Sequence, residues 1–195
     1  MANFHYNIMI KNLGRENVDL LFTDTDSLAY HIKNKNPYEF IKHNKEYFDL
    51  SAYPKNNELF DATNKKVIGK FKDECIDGHM NYINEFVGLR SKLYAYKTEF
   101  NKDGKLIKGN DNNIHKRCKG VKNNVVKKFL RFEHYKNVLF KREIINVKQN
   151  NIRSYKHVLF TEQINKIALS YNDDKSYVCN DNVNTYTFGH YKIRK

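Results

Sequence analysis

Residues 20 to 28 read Leu20-Leu21-Phe22-Thr23-Asp24-Thr25-Asp26-Ser27-Leu28, so two carboxylates stand one residue apart inside an apolar, strand-like run. Like charges crowded in such a setting are costly unless something positive offsets them, and a divalent cation with phosphate oxygens is the usual partner. Two-metal phosphoryl transfer needs carboxylates that hold two Mg²⁺ ions about 3.5–4 Å apart. An Asp-x-Asp at a hairpin tip supplies oxygens from one rigid support, and the hydroxyls of Thr25 and Ser27 are placed to orient the two carboxylates. Asp24 and Asp26 are therefore the candidate catalytic and metal-ligating residues. Only 23 residues precede Asp24 in this sequence, and the expectation is that they are too few to build the remainder of a catalytic domain around it.

The elements that must position this pair follow from periodicity. Phe4, Ile8, Met9 and Leu13 repeat at helical spacing, and Gly14 stops that helix. Val18 to Phe22 and Leu28 to Ile32 are short strand-like runs on either side of the acids, which predicts a β-hairpin with the acidic pair at its tip. Pro37 opens a helical segment that continues to about Phe48, followed by a loop from Asp49. Strand character is expected over Lys65 to Lys72, with Val67 and Phe71 on one side, and again from Lys92 to Tyr96. Asn101 to Lys105, with Gly104, and Gly109 to Asn113 read as a turn and a polar loop. Val121, Val125, Phe129, Phe132, Tyr135 and Leu139 then form an i, i+3, i+4 stripe, which predicts one amphipathic helix to about Phe140 with lysines and arginines outward. Beyond Asn146 the pattern is mixed.

Charge is distributed unevenly. The 195-residue chain carries a net +13, and residues 87 to 148 alone hold 17 Lys/Arg against 5 Asp/Glu. A composition bias toward Lys and Asn would spread the excess along the chain, so its concentration in one third points to a surface that faces a polyanion. Lys119, just before that stripe, and Lys122, Lys127 and Lys128, on the face opposite it, are candidate phosphate-binding residues, joined by Arg90, Lys92, Lys97, Lys116 and Arg117. Such contacts grip phosphates without reading sequence.

Other chemistries find little footing. The three cysteines, Cys75, Cys118 and Cys179, are far apart and lack metal-ligand spacing. The eight histidines are scattered with no HExxH pattern, and no GxSxG, GxGxxG or P-loop occurs. No apolar stretch approaches the ~18 residues of a membrane span, and the first residues do not open a signal peptide, which predicts a soluble, intracellular protein with no membrane partner.

Phe22-Thr23-Asp24-Thr25-Asp26-Ser27 resembles the palm motif Tyr-x-Asp-Thr-Asp-Ser of family B DNA polymerases, with Phe in place of Tyr. Lys92-Leu93-Tyr94 looks like the Lys-x-Tyr element by which that family contacts the primer terminus. Phe48-Asp49-Leu50-Ser51, Lys66 to Glu74, Glu85 to Arg90 and Lys119-Gly120-Val121 are similar to the C-terminal portion of the protein-primed branch carried by Polinton-type transposons and their viral relatives. The resemblance implies DNA-directed nucleotidyl transfer in replication, with Asp24 and Asp26 as Mg²⁺ ligands and Lys92 and Tyr94 on the DNA primer, which the basic candidates Arg90, Lys119, Lys122, Lys127 and Lys128 would join as DNA-binding residues. It implies a DNA primer-template, deoxynucleoside triphosphates and a terminal protein primer as partners, at a nuclear or viral replication site. A complete member also has a proofreading exonuclease, a further palm carboxylate and a fingers helix. The expectation is accordingly a polymerase piece without turnover of its own: a partial palm over residues 1–100 and a thumb-like basic region over 101–195. The expected fold class is α+β, a small antiparallel sheet with helices followed by a mainly helical extension.

Two other readings fit parts of the pattern. A DxD-type glycosyltransferase would hold Mn²⁺ and a nucleotide sugar on the acids, but asks for a nucleotide-binding region upstream and leaves the basic stripe unexplained. A non-catalytic nucleic-acid-binding module would keep the stripe and make the acids a polar turn.

Overall fold

The computed structural model describes residues 1–76, 81–102, 105–107, 113–172, 176–181, 184–187 and 189–193. It is an α+β protein with antiparallel strand pairs, and it divides into two compact units. The first is Met1–Ser91 with Ala95–His115, and the second is Lys92–Tyr94 with Lys116–Lys195.

In the first unit, π-helical turns over Phe4–Ile10 run into α1, Lys11–Leu13, and Gly14 ends the helix at φ 89°. A β-carbon there would meet the Glu16 carboxylate, so glycine serves both the left-handed backbone and the close approach. Strand β1, Val18–Asp24, then pairs antiparallel with β2, Ser27–Ile32, through a bulge between Leu20 and Phe22. Helix α2, Pro37–His43, begins as its sequence dictates: Pro37 sits in the first turn and the Asn36 side chain accepts the Tyr38 N–H at 2.9 Å. It is shorter than expected. Asn44 folds back to donate to the Phe40 carbonyl, and the chain passes into a 3₁₀ turn over Lys45–Tyr47.

Phe4, Met9, Leu13 and Val18 pack with Phe40, Ile41, Phe48, Leu50, Tyr53 and Leu59 into one core. Phe4 is its hub, with the Phe71 ring 4.1 Å away and Phe48 edge-on at 5.8 Å. Phe48 and Phe71 form an isolated parallel bridge, and the Asp49 N–H donates to the Phe71 carbonyl. The strand expected over Lys65–Lys72 is not formed. The buried Asp49 carboxylate accepts the backbone N–H groups of Ser51 and Lys66, Lys66 and Gly69 take φ 60° and 86°, and Ile68 is left 100% exposed. The two segments that hold the Phe48 and Lys66 motifs are thereby tied together by hydrogen bonds rather than by a sheet.

Strands β3, Asn81–Arg90, β4, Leu93–Lys102, and β5, Lys105–Ile107, follow in that order in a sheet in which β6, Ile114–Cys118, also pairs β4. The strand expected from Lys92 starts at Leu93 because Ser91-Lys92 make the turn, with Lys92 at φ 58°. The turn and loop expectations at 103–104 and 108–112 lie outside the described residues.

The second unit corrects the single long helix. Two helices form, α3, Asn123–Phe129, and α4, Phe132–Lys141, separated by extended backbone at Leu130 and Arg131. Leu130 is buried, and the Arg131 N–H donates to His134 Nδ1, which opens a new helix there. The break changes which residues face inward. Phe132, Tyr135 and Val138 are buried, whereas Phe129, Leu139 and Phe140 are exposed. After α4 the region is strand rather than helix. A long hairpin pairs β7, Ile145–Tyr155, with β8, Val158–Leu169, and a small one pairs β9, Ser176–Val178, with β10, Thr185–Thr187. The root of the long hairpin is buried through Val147, Gln149, Ala168 and Leu169, while its distal half exposes Ile152, Tyr155, Val158 and Leu159.

Candidate functional site

The acidic pair sits at the tip of the β1–β2 hairpin, as the two strand-like runs predicted. Asp24 is the last residue of β1, paired with Ser27, and Thr25-Asp26 make a two-residue connection. Thr25 adopts φ 60°. A β-branched residue is strained in that region, where Asn or Gly would sit at ease. Its hydroxyl is 3.3 Å from Asp24 Oδ1 and donates to it. Ser27 does not orient a carboxylate: its hydroxyl donates to the Asp24 backbone carbonyl at 3.1 Å, which also accepts the Asp26 N–H at 2.8 Å. The turn is thus fixed by three hydrogen bonds converging on Asp24.

Neither acid is buried. Asp24 is partly covered and Asp26 exposed, so desolvation does not compel a cation here. At the other end of the hairpin, Lys33 and His31 beside Asp19 hold its carboxyl below the usual range, with Lys33 Nζ at 2.7 Å. Among the described residues no three His, Cys, Asp or Glu side chains come together as a metal-binding group. Asp24 and Asp26 therefore do not make up the full ligand set that a two-ion centre requires.

Phe22, two residues ahead of Asp24, stacks on Phe86 with centroids 5.7 Å apart and ring planes at 14°. Partly buried, the Phe22 ring packs within the first unit. Arg90 ends β3 and is partly covered. In the second unit Lys92 is partly covered in its turn, where its carbonyl accepts the Lys119 N–H at 3.0 Å. Tyr94 is 7% exposed, and its neighbours Leu93 and Ala95 on the opposite face of the strand are buried as well.

The basic residues separate into two groups. Lys119, Lys122, Lys127 and Lys128 are exposed, the first two flanking Gly120-Val121 and the last two on the final turn of α3. Lys128 Nζ lies 5.5 Å from the exposed Phe129 ring. Lys116 and Lys97 have internal work. Lys116 Nζ donates to the Leu130 carbonyl at 2.6 Å at the end of α3, and Lys97 pairs with Glu85 at 3.1 Å. Sequence reasoning missed two residues beside the Lys119 turn. Gln149 Oε1 accepts the Lys122 N–H at 3.0 Å, and Lys166 Nζ would lie 3.0 Å from a β-carbon at Gly120. Both come from the long hairpin, whose mixed sequence gives no clear helix or strand pattern.

No protein-family model, curated protein or solved structure matches the chain. No described helix is long and apolar enough to cross a membrane.

Proposed function

We propose that this chain is a palm-and-thumb portion of a family B DNA polymerase of the protein-primed type, contributing Asp24 and Asp26 to a metal centre that other carboxylates complete. Thr25 is the observation that carries this reading. A strained φ at a β-branched residue persists only where something over-determines it, and functional turns are a frequent setting. Here the strained residue donates to the first acid and separates it from the second. The exposed group of Lys119, Lys122, Lys127 and Lys128 supports a phosphate-gripping surface. Mg²⁺ or Mn²⁺ titration by calorimetry tests the first part, with Asp24→Asn expected to abolish the measured binding. Unchanged affinity in that variant would sink the metal reading.

A non-catalytic nucleic-acid-binding module is favoured by a different observation, the solvent access of both acids. In that case Asp24→Asn leaves DNA binding and metal binding alike untouched, while loss of the lysines still weakens DNA binding.

A further inference from the structure

The small C-terminal hairpin builds an aromatic ladder that neither the acidic pair nor the α3 lysines explain. Tyr177 and Tyr186 are paired across β9 and β10. Gly189, at φ 82°, then turns the chain back, with the His190 N–H on the Thr187 carbonyl at 3.0 Å. The His190 ring stacks on Tyr186 at 4.4 Å with planes only 5° apart, and Tyr191 lies against His190 at 4.6 Å and 32°. His190 Nδ1 accepts the Lys192 N–H at 3.2 Å, which orients the ring, and the Ile193 N–H closes on the His190 carbonyl at 2.9 Å. Lys192 Nζ sits 5.9 Å from both the Tyr186 and the Tyr191 centroids. Tyr191 is 82% exposed and Tyr177 47%.

Burial does not account for this arrangement, because rings that stack to leave water would not end on one so open. A largely exposed ring with a cation near it and its neighbour matches a nucleotide instead, with the base on the ring and the phosphate on the ammonium. Bases inside a duplex have no free face to offer, so the match is to an unpaired strand. We infer that the Tyr186-His190-Tyr191 ladder with Lys192 is a stacking platform for single-stranded nucleic acid. This goes beyond the metal and duplex-gripping reading and stands without it.

The test is fluorescence anisotropy on the full chain with labelled 20-nucleotide oligothymidine and with a duplex of equal length. Tyr191→Ala is expected to weaken oligothymidine binding about fivefold to tenfold, the scale of one lost base stack, and to leave duplex affinity within about twofold. Tyr191→Phe keeps the ring and should retain wild-type affinity, which guards against a local folding defect. Asp24→Asn should leave oligothymidine binding unchanged, so a failed metal reading is seen separately. No binding of oligothymidine by the wild type, no effect of Tyr191→Ala, or equal loss on duplex and single strand would each overturn the platform.

Discussion

Phe22 and Phe86 lie ring on ring at 5.7 Å and 14°, joining the strand that ends in Asp24 to β3 within one unit. Gly88 makes room for this, since a β-carbon there would come within 2.9 Å of the Phe86 ring. Replacing Gly88 by Ala must push that ring aside. Gly88→Ala is expected to cost about 1–2 kcal/mol in urea unfolding, with Phe86→Leu giving a comparable loss and the double variant less than their sum.

Thr25→Gly should relieve a left-handed backbone that costs a β-branched residue about 1–2 kcal/mol, partly offset by the greater freedom of glycine in the unfolded chain. The expected result is a protein as stable as the wild type or more so, read by denaturant midpoint, yet weaker in Mn²⁺ binding because the hydroxyl on Asp24 Oδ1 is gone. A variant that lost stability would show that Thr25 is not strained.

Lysines of the basic segment should divide by role. Lys127→Ala and Lys128→Ala are each expected to reduce the slope of log affinity for duplex DNA against log salt by about 1. Lys116→Met should leave that slope unchanged and lower stability by about 1 kcal/mol, because its ammonium caps the carbonyls that end α3.

Asp73 sets a pH dependence. Burial raises its carboxyl above the ordinary 3.8, against the Cys75 N–H and Tyr53 hydroxyl that it accepts. Its charge in turn helps to raise Tyr38 and Cys75, each to about 12. A raised acid binds more protons folded than unfolded, so its contribution to stability is present below 3.8 and is lost as pH climbs through the higher folded value. Asp73→Asn should flatten that decline in urea midpoints measured from pH 4 upward, with the variant gaining on the wild type toward neutrality.

The parts legible in the sequence were those with local signals that nothing overrode. The strand-like runs on either side of Thr25-Asp26 located the hairpin, and Gly14 ended the first helix where expected. The interruption at Leu130 was hidden because Val121 to Leu139 fits one continuous helical stripe. What decided it was the burial of Leu130 and the bond from the Arg131 N–H to His134, neither of which has a periodicity. β7 and β8 were unreadable for a related reason: the Asn and Lys residues of β7 are poor strand formers, and the Lys156-His157 turn, at φ 46° and 65°, lacks the glycine or asparagine that usually announces it. For the acids, spacing gave the place but not the burial, which depends on what packs over the tip.

The long hairpin is rooted by Val147, Ala168 and Leu169 but loses that footing beyond Asn151. At about 3.4 Å per residue its outer rungs, Ile152–Thr161 to Tyr155–Val158, reach on the order of 10 Å past the anchored ones. Foldedness and reach are thus uncoupled in this arm. Shortening or nicking the tip is expected to leave amide hydrogens at the buried root slow to exchange, which makes the tip the natural place to attach a probe.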